Sequence, residues 1–123
     1  MKEKFKVEFL EEVLDFLDVI EKKARDKILF TIDRAKIKND TALFKKLNSD
    51  IWEFRTLFNK KQYRLFAFWD KSDNRVTIVV ATHGIVKKTQ KTPKKEIAKA
   101  TDLMNKYFDT KNKEIWKPIP LMK

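Results

Sequence analysis

Two arginines stand inside aromatic stretches, Arg55 in Trp52-Glu53-Phe54-Arg55 and Arg64 in Tyr63-Arg64-Leu65-Phe66. A guanidinium is planar, stays cationic at any physiological pH and donates two aligned hydrogen bonds to a pair of phosphate oxygens. Between Lys87 and Lys99 six lysines meet a single acid, Glu96, and the stretch from Lys87 to Lys95 contains no acid at all. Lys87, Lys88, Lys91, Lys94 and Lys95 are compact charges without fixed hydrogen-bond geometry, so together they can hold a phosphate backbone but read base identity poorly. The bland reading of the same residues is a solvated basic turn, with Glu53 or another acid pairing the arginines. The only histidine, His83, precedes the only glycine, Gly84; it is either a proton carrier or a ring satisfied by its surroundings. The chain has no Cys, which removes thiolate nucleophiles, disulfides and Cys-based zinc sites. One His leaves zinc without a ligand set, and one Gly cannot build a phosphate-cradling loop, so neither a metal nor a cofactor is expected.

These cations need elements to aim them. Lys4 to Phe9 alternates, with Phe5, Val7 and Phe9 on one side, which predicts a short first strand. Then Phe9, Val13, Phe16, Leu17, Ile20, Ala24, Ile28, Ile32 and Ala35 recur at three- and four-residue spacing, which predicts one long helix, or two helices in a hairpin broken near Lys22 to Asp26. Leu43, Phe44 and Leu47 are spaced for one more helical turn before Asn48-Ser49-Asp50. Ile51–Phe58, Tyr63–Trp69 and Val76–Thr82 are rich in aromatic and β-branched residues and are parted by polar turns, so they read as three antiparallel strands. A turn with Lys60-Lys61 as its two loop residues sets Arg55 opposite Phe66 and diagonal to Arg64, which gives both guanidiniums one sheet face. Two forks can then grip one phosphate, with Lys60 and Lys61 as further nucleic-acid contacts. The run after Gly84 reads as a loop that ends at Thr92-Pro93, an N-cap followed by the residue best tolerated at the first helical position. Ile97, Ala100, Met104 and Tyr107 or Phe108 continue as an amphipathic helix. The order predicts an α+β sandwich with helices on one sheet face and the other face open.

A chain of 123 residues with 42% apolar content closes one core. A single domain is therefore expected over 1–123, with 109–123 as a C-terminal extension. There Pro118 and Pro120 exclude helix, while Trp116, Ile119, Leu121 and Met122 are apolar enough to dock. Against 18 acids stand 29 Lys and Arg, a net charge of +11, and such a field attracts polyanions. A charged amino terminus and the lack of any long apolar window argue against export or a membrane span, so the expected compartment is the cytoplasm.

Trp52-Glu53-Phe54-Arg55, Tyr63-Arg64-Leu65-Phe66 and the eighteen residues from His83 to Ala100 together resemble the phage-associated HigB branch of the RelE/ParE toxin superfamily. The resemblance spans roughly Phe5 to Phe108. It departs at Ile85, where that branch usually has an aromatic residue, and at Phe54, where leucine is common. The resemblance implies a RelE-like sandwich and a toxin that enters the ribosomal A site and cuts mRNA without a metal. It also implies a helix-turn-helix antitoxin of the HigA kind that sequesters the toxin, for which Trp116 is a candidate contact.

For such cleavage the 2′-hydroxyl attacks phosphorus, so Arg55 and Arg64 are assigned to the phosphoryl oxygens. Proton transfer falls to Lys87 or Lys91, because crowding among Lys87, Lys88 and Lys91 disfavours added charge. His83 is the rival. Two other classes compete: a ParE-type toxin that acts on DNA gyrase without cutting RNA, and a basic RNA-binding module without catalysis.

Overall fold

The computed structural model describes residues 2–88 and 91–116, the side chains of 114–116 excepted. The strand at the amino end is β1 (Lys6–Phe9), and it is followed by α1 (Glu11–Val19) and α2 (Lys22–Ile37). The apolar stripe is thus a helical hairpin. Its break falls at Ile20 and Glu21, both extended, just ahead of the expected Lys22 to Asp26.

Next come β2 (Phe44–Lys46), β3 (Trp52–Phe58), β4 (Lys61–Asp73), β5 (Val76–Lys87) and α3 (Lys94–Trp116). The five strands form one sheet in the order β1-β5-β4-β3-β2, with β1 parallel to β5 and every other pair antiparallel. The helical turn expected over Leu43 to Leu47 is instead a strand. Asp40 accepts the Ala42 N–H at 2.8 Å and turns the chain. Phe44 then stacks on its cross-strand partner Phe54, with centroids 4.3 Å apart. Aromatic pairing outweighs a local spacing that fits helix equally well.

The β3–β4 turn consists of Asn59 and Lys60, both with positive φ (52° and 65°), as a type I′ hairpin requires. Arg55 therefore lies directly opposite Arg64, and Glu53 opposite Phe66. The expected turn was one residue late, but that slip shifts the pairing by two, and both arginines keep a common face. Strand β5 runs on through Gly84 to Lys87, five residues beyond the expected Thr82. Gly84 admits the ring of Phe16: a Cβ there would stand 2.4 Å from it. Phe66 pairs with His83 but Ala67 pairs with Ala81, so Thr82 is an extra residue in β5.

Each sheet face carries its own core. On one, Val13, Leu17, Ala24, Ile28 and Ile32 of the hairpin pack on Phe54, Leu65, Ala67 and Val79. On the other, Ala100, Ile97, Met104, Tyr107 and Phe108 of α3 pack on Phe66, Phe68, Val80 and Ile78. The second face is therefore not left open, as the sequence predicts. Helix α3 covers its middle and one end.

At that covered end Asp70, 1% exposed, accepts from Tyr107 Oη at 2.7 Å, Lys111 Nζ at 2.6 Å, and Ser72 N and Oγ at 3.0 and 2.6 Å. This anchor lies past Asp109 and continues α3 to Trp116, through what the sequence reads as the start of an extension. The Trp116 side chain and residues 117–123, on which the docking expectation falls, lie outside the described residues. The molecule is a mixed α+β sandwich of the RelE-like kind.

Candidate active site

Alternate residues of β3 and β4 point to the α3 side of the sheet, and beyond the first turn of α3 these include the charged Glu53 and Arg55 on β3 and the polar Gln62 and charged Arg64 on β4. Lys45 of β2 pairs with Glu53, and Lys87 of β5 pairs with Gln62, on the same face. Among the described residues, Lys45, Arg55, Arg64 and Lys87 thus gather round the carboxylate of Glu53.

Glu53 is 2% exposed and is the hub. Its Oε1 lies 3.5 Å from Arg64 Nε and accepts from Thr92 Oγ1 at 3.2 Å. Its Oε2 lies 3.7 Å from Arg55 Nε. Thr92 Oγ1 in turn accepts from Lys87 Nζ at 3.3 Å, so one hydroxyl joins the carboxylate to the lysine across the base of the Lys-rich loop.

The two arginines share a face but not an environment. Arg64 is 3% exposed; Nη1 donates to the Tyr63 carbonyl at 3.1 Å and Nη2 to Gln62 Oε1. Its Nε makes no hydrogen bond among the described residues. Burial pulls its pKa down, and Glu53 opposes that shift. Arg55, by contrast, keeps 28% of its side chain exposed. It lines a hollow of about 210 Å³ with Ala42, Thr56, Leu57, Gln62 and Arg64. The expected pair of exposed forks is in fact one solvent-facing fork backed by one buried cation.

Lys87 is 6% exposed. Burial lowers its pKa first, and then Arg64, Arg55 and Lys45 do so, with Glu53 opposing. Burial first and the arginines after it, rather than crowding by Lys88 and Lys91, lower the pKa of this amine. Lys88, Lys91, Lys94 and Lys95 are exposed. Lys60 is in the turn and Lys61 pairs with Phe58, on the other face from the arginines, so neither joins the cluster.

His83 does not face the cluster. It is 3% exposed, stacked on Phe66, and held by Thr82 Oγ1 at Nδ1 (2.9 Å) and Glu96 Oε1 at Nε2 (3.1 Å). Burial lowers its pKa, with Glu96 opposing. Nε2–H can donate to Glu96, while the single Thr82 hydroxyl proton is divided between Nδ1 and the Phe66 carbonyl 3.3 Å away. That is a fastening between β5 and α3.

Sequence reasoning treats Glu53 only as a possible ion-pair partner and Thr92 only as a cap, and it passes over Lys45 and Gln62. An acid two residues from Arg55 in a strand was the available signal, because that spacing forces a common face. Among the described residues no group of three or more His, Cys, Asp or Glu lies close enough to hold a metal ion, and no helix is long and apolar enough to cross a membrane. A hollow of about 550 Å³ lies at the opposite end of the α3 face beside Tyr107 and Lys111 and contains none of these site residues.

Among curated proteins nothing matches the sequence. The model of the family described as "Phage derived protein Gp49-like (DUF891)" matches residues 15–105, a span that includes the whole cation cluster. The chain belongs to this phage derived Gp49-like family, a family of RelE-like, toxin-like proteins.

Proposed function

We propose that the protein is the toxin of a HigB-type toxin–antitoxin pair and that it cuts mRNA in the ribosomal A site without a metal. The observation that carries this reading is the excess of Lys45, Arg55, Arg64 and Lys87 over Glu53 on the part of the sheet beyond α3. A cleft of one sign with low-dielectric walls concentrates a polyanion and stabilises charge that grows during reaction. In the proposed step a neutral Lys87 amine takes the proton of the 2′-hydroxyl. The 2′-oxygen bonds to phosphorus, the bond from phosphorus to the 5′-oxygen breaks, and that oxygen is protonated, with Lys91 on the adjoining loop as candidate donor. The products are a 2′,3′-cyclic phosphate and a free 5′-hydroxyl. Arg55 meets the phosphoryl oxygens, and Arg64 acts from behind through its field. Lys88, Lys94 and Lys95, all exposed, hold the strand on either side. Leu14, Val19 and Phe30 of the hairpin are exposed apolar residues that give an antitoxin of the HigA kind a surface to cover.

The test is incubation of purified protein with programmed ribosomes and mapping of mRNA 5′ ends. Wild type is expected to cut within A-site codons, and Arg55→Ala to leave the mRNA whole. Intact mRNA together with trapped gyrase–DNA complexes would move the protein to the ParE kind. Salt-sensitive RNA binding with no product would reduce it to a binding module.

A further inference from the structure

The carboxylate of Glu53 occupies an unusual place. It is buried at 2% exposure and is the acid that Arg55 and Arg64 both face, at 3.7 and 3.5 Å through their Nε atoms. It reaches Lys87 through the Thr92 hydroxyl by contacts of 3.2 and 3.3 Å. One anionic group with two oxygens, each turned to a different guanidinium, has the charge and shape of a phosphodiester's two non-bridging oxygens. Among the described residues the neighbouring cations Lys45, Arg55, Arg64 and Lys87 outnumber this one carboxylate. The two arginine contacts are also unequal. Both border the same hollow, but Arg64 is buried and held by the Tyr63 carbonyl and Gln62, whereas Arg55 keeps 28% of its side chain exposed there.

We propose that Glu53 is a positioning residue that stands in for the substrate phosphate in the free protein, keeping Arg64 and Lys87 aligned and surrendering Arg55 when RNA phosphate arrives. The proposal deepens the reading of this cluster as a phosphate site and rests on it. In the bound state Glu53 retains Arg64 and Thr92, so the buried cation and the base of the Lys-rich loop stay in register while Arg55 turns to the incoming oxygens. Glu53 is therefore both an internal competitor for Arg55 and the support of the other two cations. These two roles give opposite signs on binding and on turnover.

Two probes separate this inference from the nuclease reading. The first is inorganic phosphate, which requires no cleavage. In wild-type protein carrying ¹⁵N-arginine and ¹³C-glutamate, phosphate is expected to shift the Arg55 Nε and Glu53 carboxyl resonances along one binding curve. A response of Arg55 with Glu53 unmoved overturns the proposal, as does no response of Arg55. The second probe is an RNA oligonucleotide with 2′-deoxyribose at the scissile position, titrated into wild type and Glu53→Gln. The variant is expected to bind about fivefold more tightly, the scale of losing one partly exposed ion pair. Its turnover on programmed ribosomes falls at the same time. Equal or weaker binding by a folded Glu53→Gln overturns the proposal; if that variant does not fold, the wild-type phosphate titration decides alone. Coupled shifts and tighter binding in a protein that cuts no mRNA would leave this inference standing and remove the nuclease.

Discussion

Two buried carboxylates sit on the same face of the sheet, Asp70 at one end and Glu53 at the other, and they are provided for very differently. Along β4 the residues on that face run Arg64, Phe66, Phe68, Asp70, and Glu53 pairs with Phe66, so the two acids lie about 13 Å apart along the strands with Phe68 between them beneath α3. Asp70 meets one cation, Lys111, and neutral donors from Tyr107 and Ser72, and its charge is matched. Burial raises its pKa, but the hydrogen bonds from Lys111, Ser72 and Tyr107 outweigh burial and hold the carboxyl well below the usual range. The Tyr107 hydroxyl is pushed above its ordinary value by burial and by that same bond. Glu53, with four cations about it, is outnumbered. A buried acid whose partners balance it is a staple; one beset by a surplus of cations marks a place that awaits another anion.

The comparison is broken most directly by removing the exposed fork. Arg55→Ala is expected to cut ribosome-dependent cleavage by about 10²- to 10³-fold while thermal unfolding is nearly unchanged. A comparable loss of stability would make Glu53 a second staple. Lys87→Met is expected to cost about 10²-fold, the lower end for a group that moves a proton. Because the amine must be neutral to accept that proton and its pKa is lowered, wild-type turnover should rise with pH until the amine is deprotonated; the same profile in Lys87→Met would assign the proton elsewhere.

At the other end, Asp70→Ala should cost about 3 kcal/mol of stability by chemical denaturation, since it orphans Lys111, Tyr107 and Ser72. Cleavage per folded molecule should hold. The depressed folded pKa of Asp70 sets the sign: its contribution is present above the unfolded value of about 4 and is lost as pH falls towards the folded one. Acid unfolding of Asp70→Asn should accordingly start from lower stability and fall less steeply below about pH 4 than wild type. The smallest effect is assigned to His83→Asn, less than about tenfold in turnover, short of what a general acid or base supplies. A larger loss in a stably folded variant would bring the ring back into the reaction.

Much of this arrangement is legible in the residues. The alternation of Phe5, Val7 and Phe9, the helical stripe from Val13 to Ala35 and the three aromatic strands all appear as elements, because each has a period that only one conformation satisfies. The shared face of Arg55 and Arg64 is legible too, since parity survives the one-residue error in the turn. What escaped depends on contacts distant in sequence. Leu43, Phe44 and Leu47 fit a helix until Phe54 is known to lie beside Phe44. The cover over the second face depends on α3 being long enough to bring Lys111 to Asp70. The central place of Glu53 appears only when Thr92, thirty-nine residues away, closes on it from the start of α3.

The extra residue in β5 has a consequence for how this chain tolerates change in length. Counting by twos from Val80, which lies under α3, would put Lys87 on the hairpin side of the sheet with Gly84 under α3. Thr82 resets the count, and both residues exchange sides. A single-residue insertion or deletion between Thr82 and Lys87 would therefore act as a frameshift in space, carrying the lysine through the sheet, whereas a change of two residues would preserve the phase.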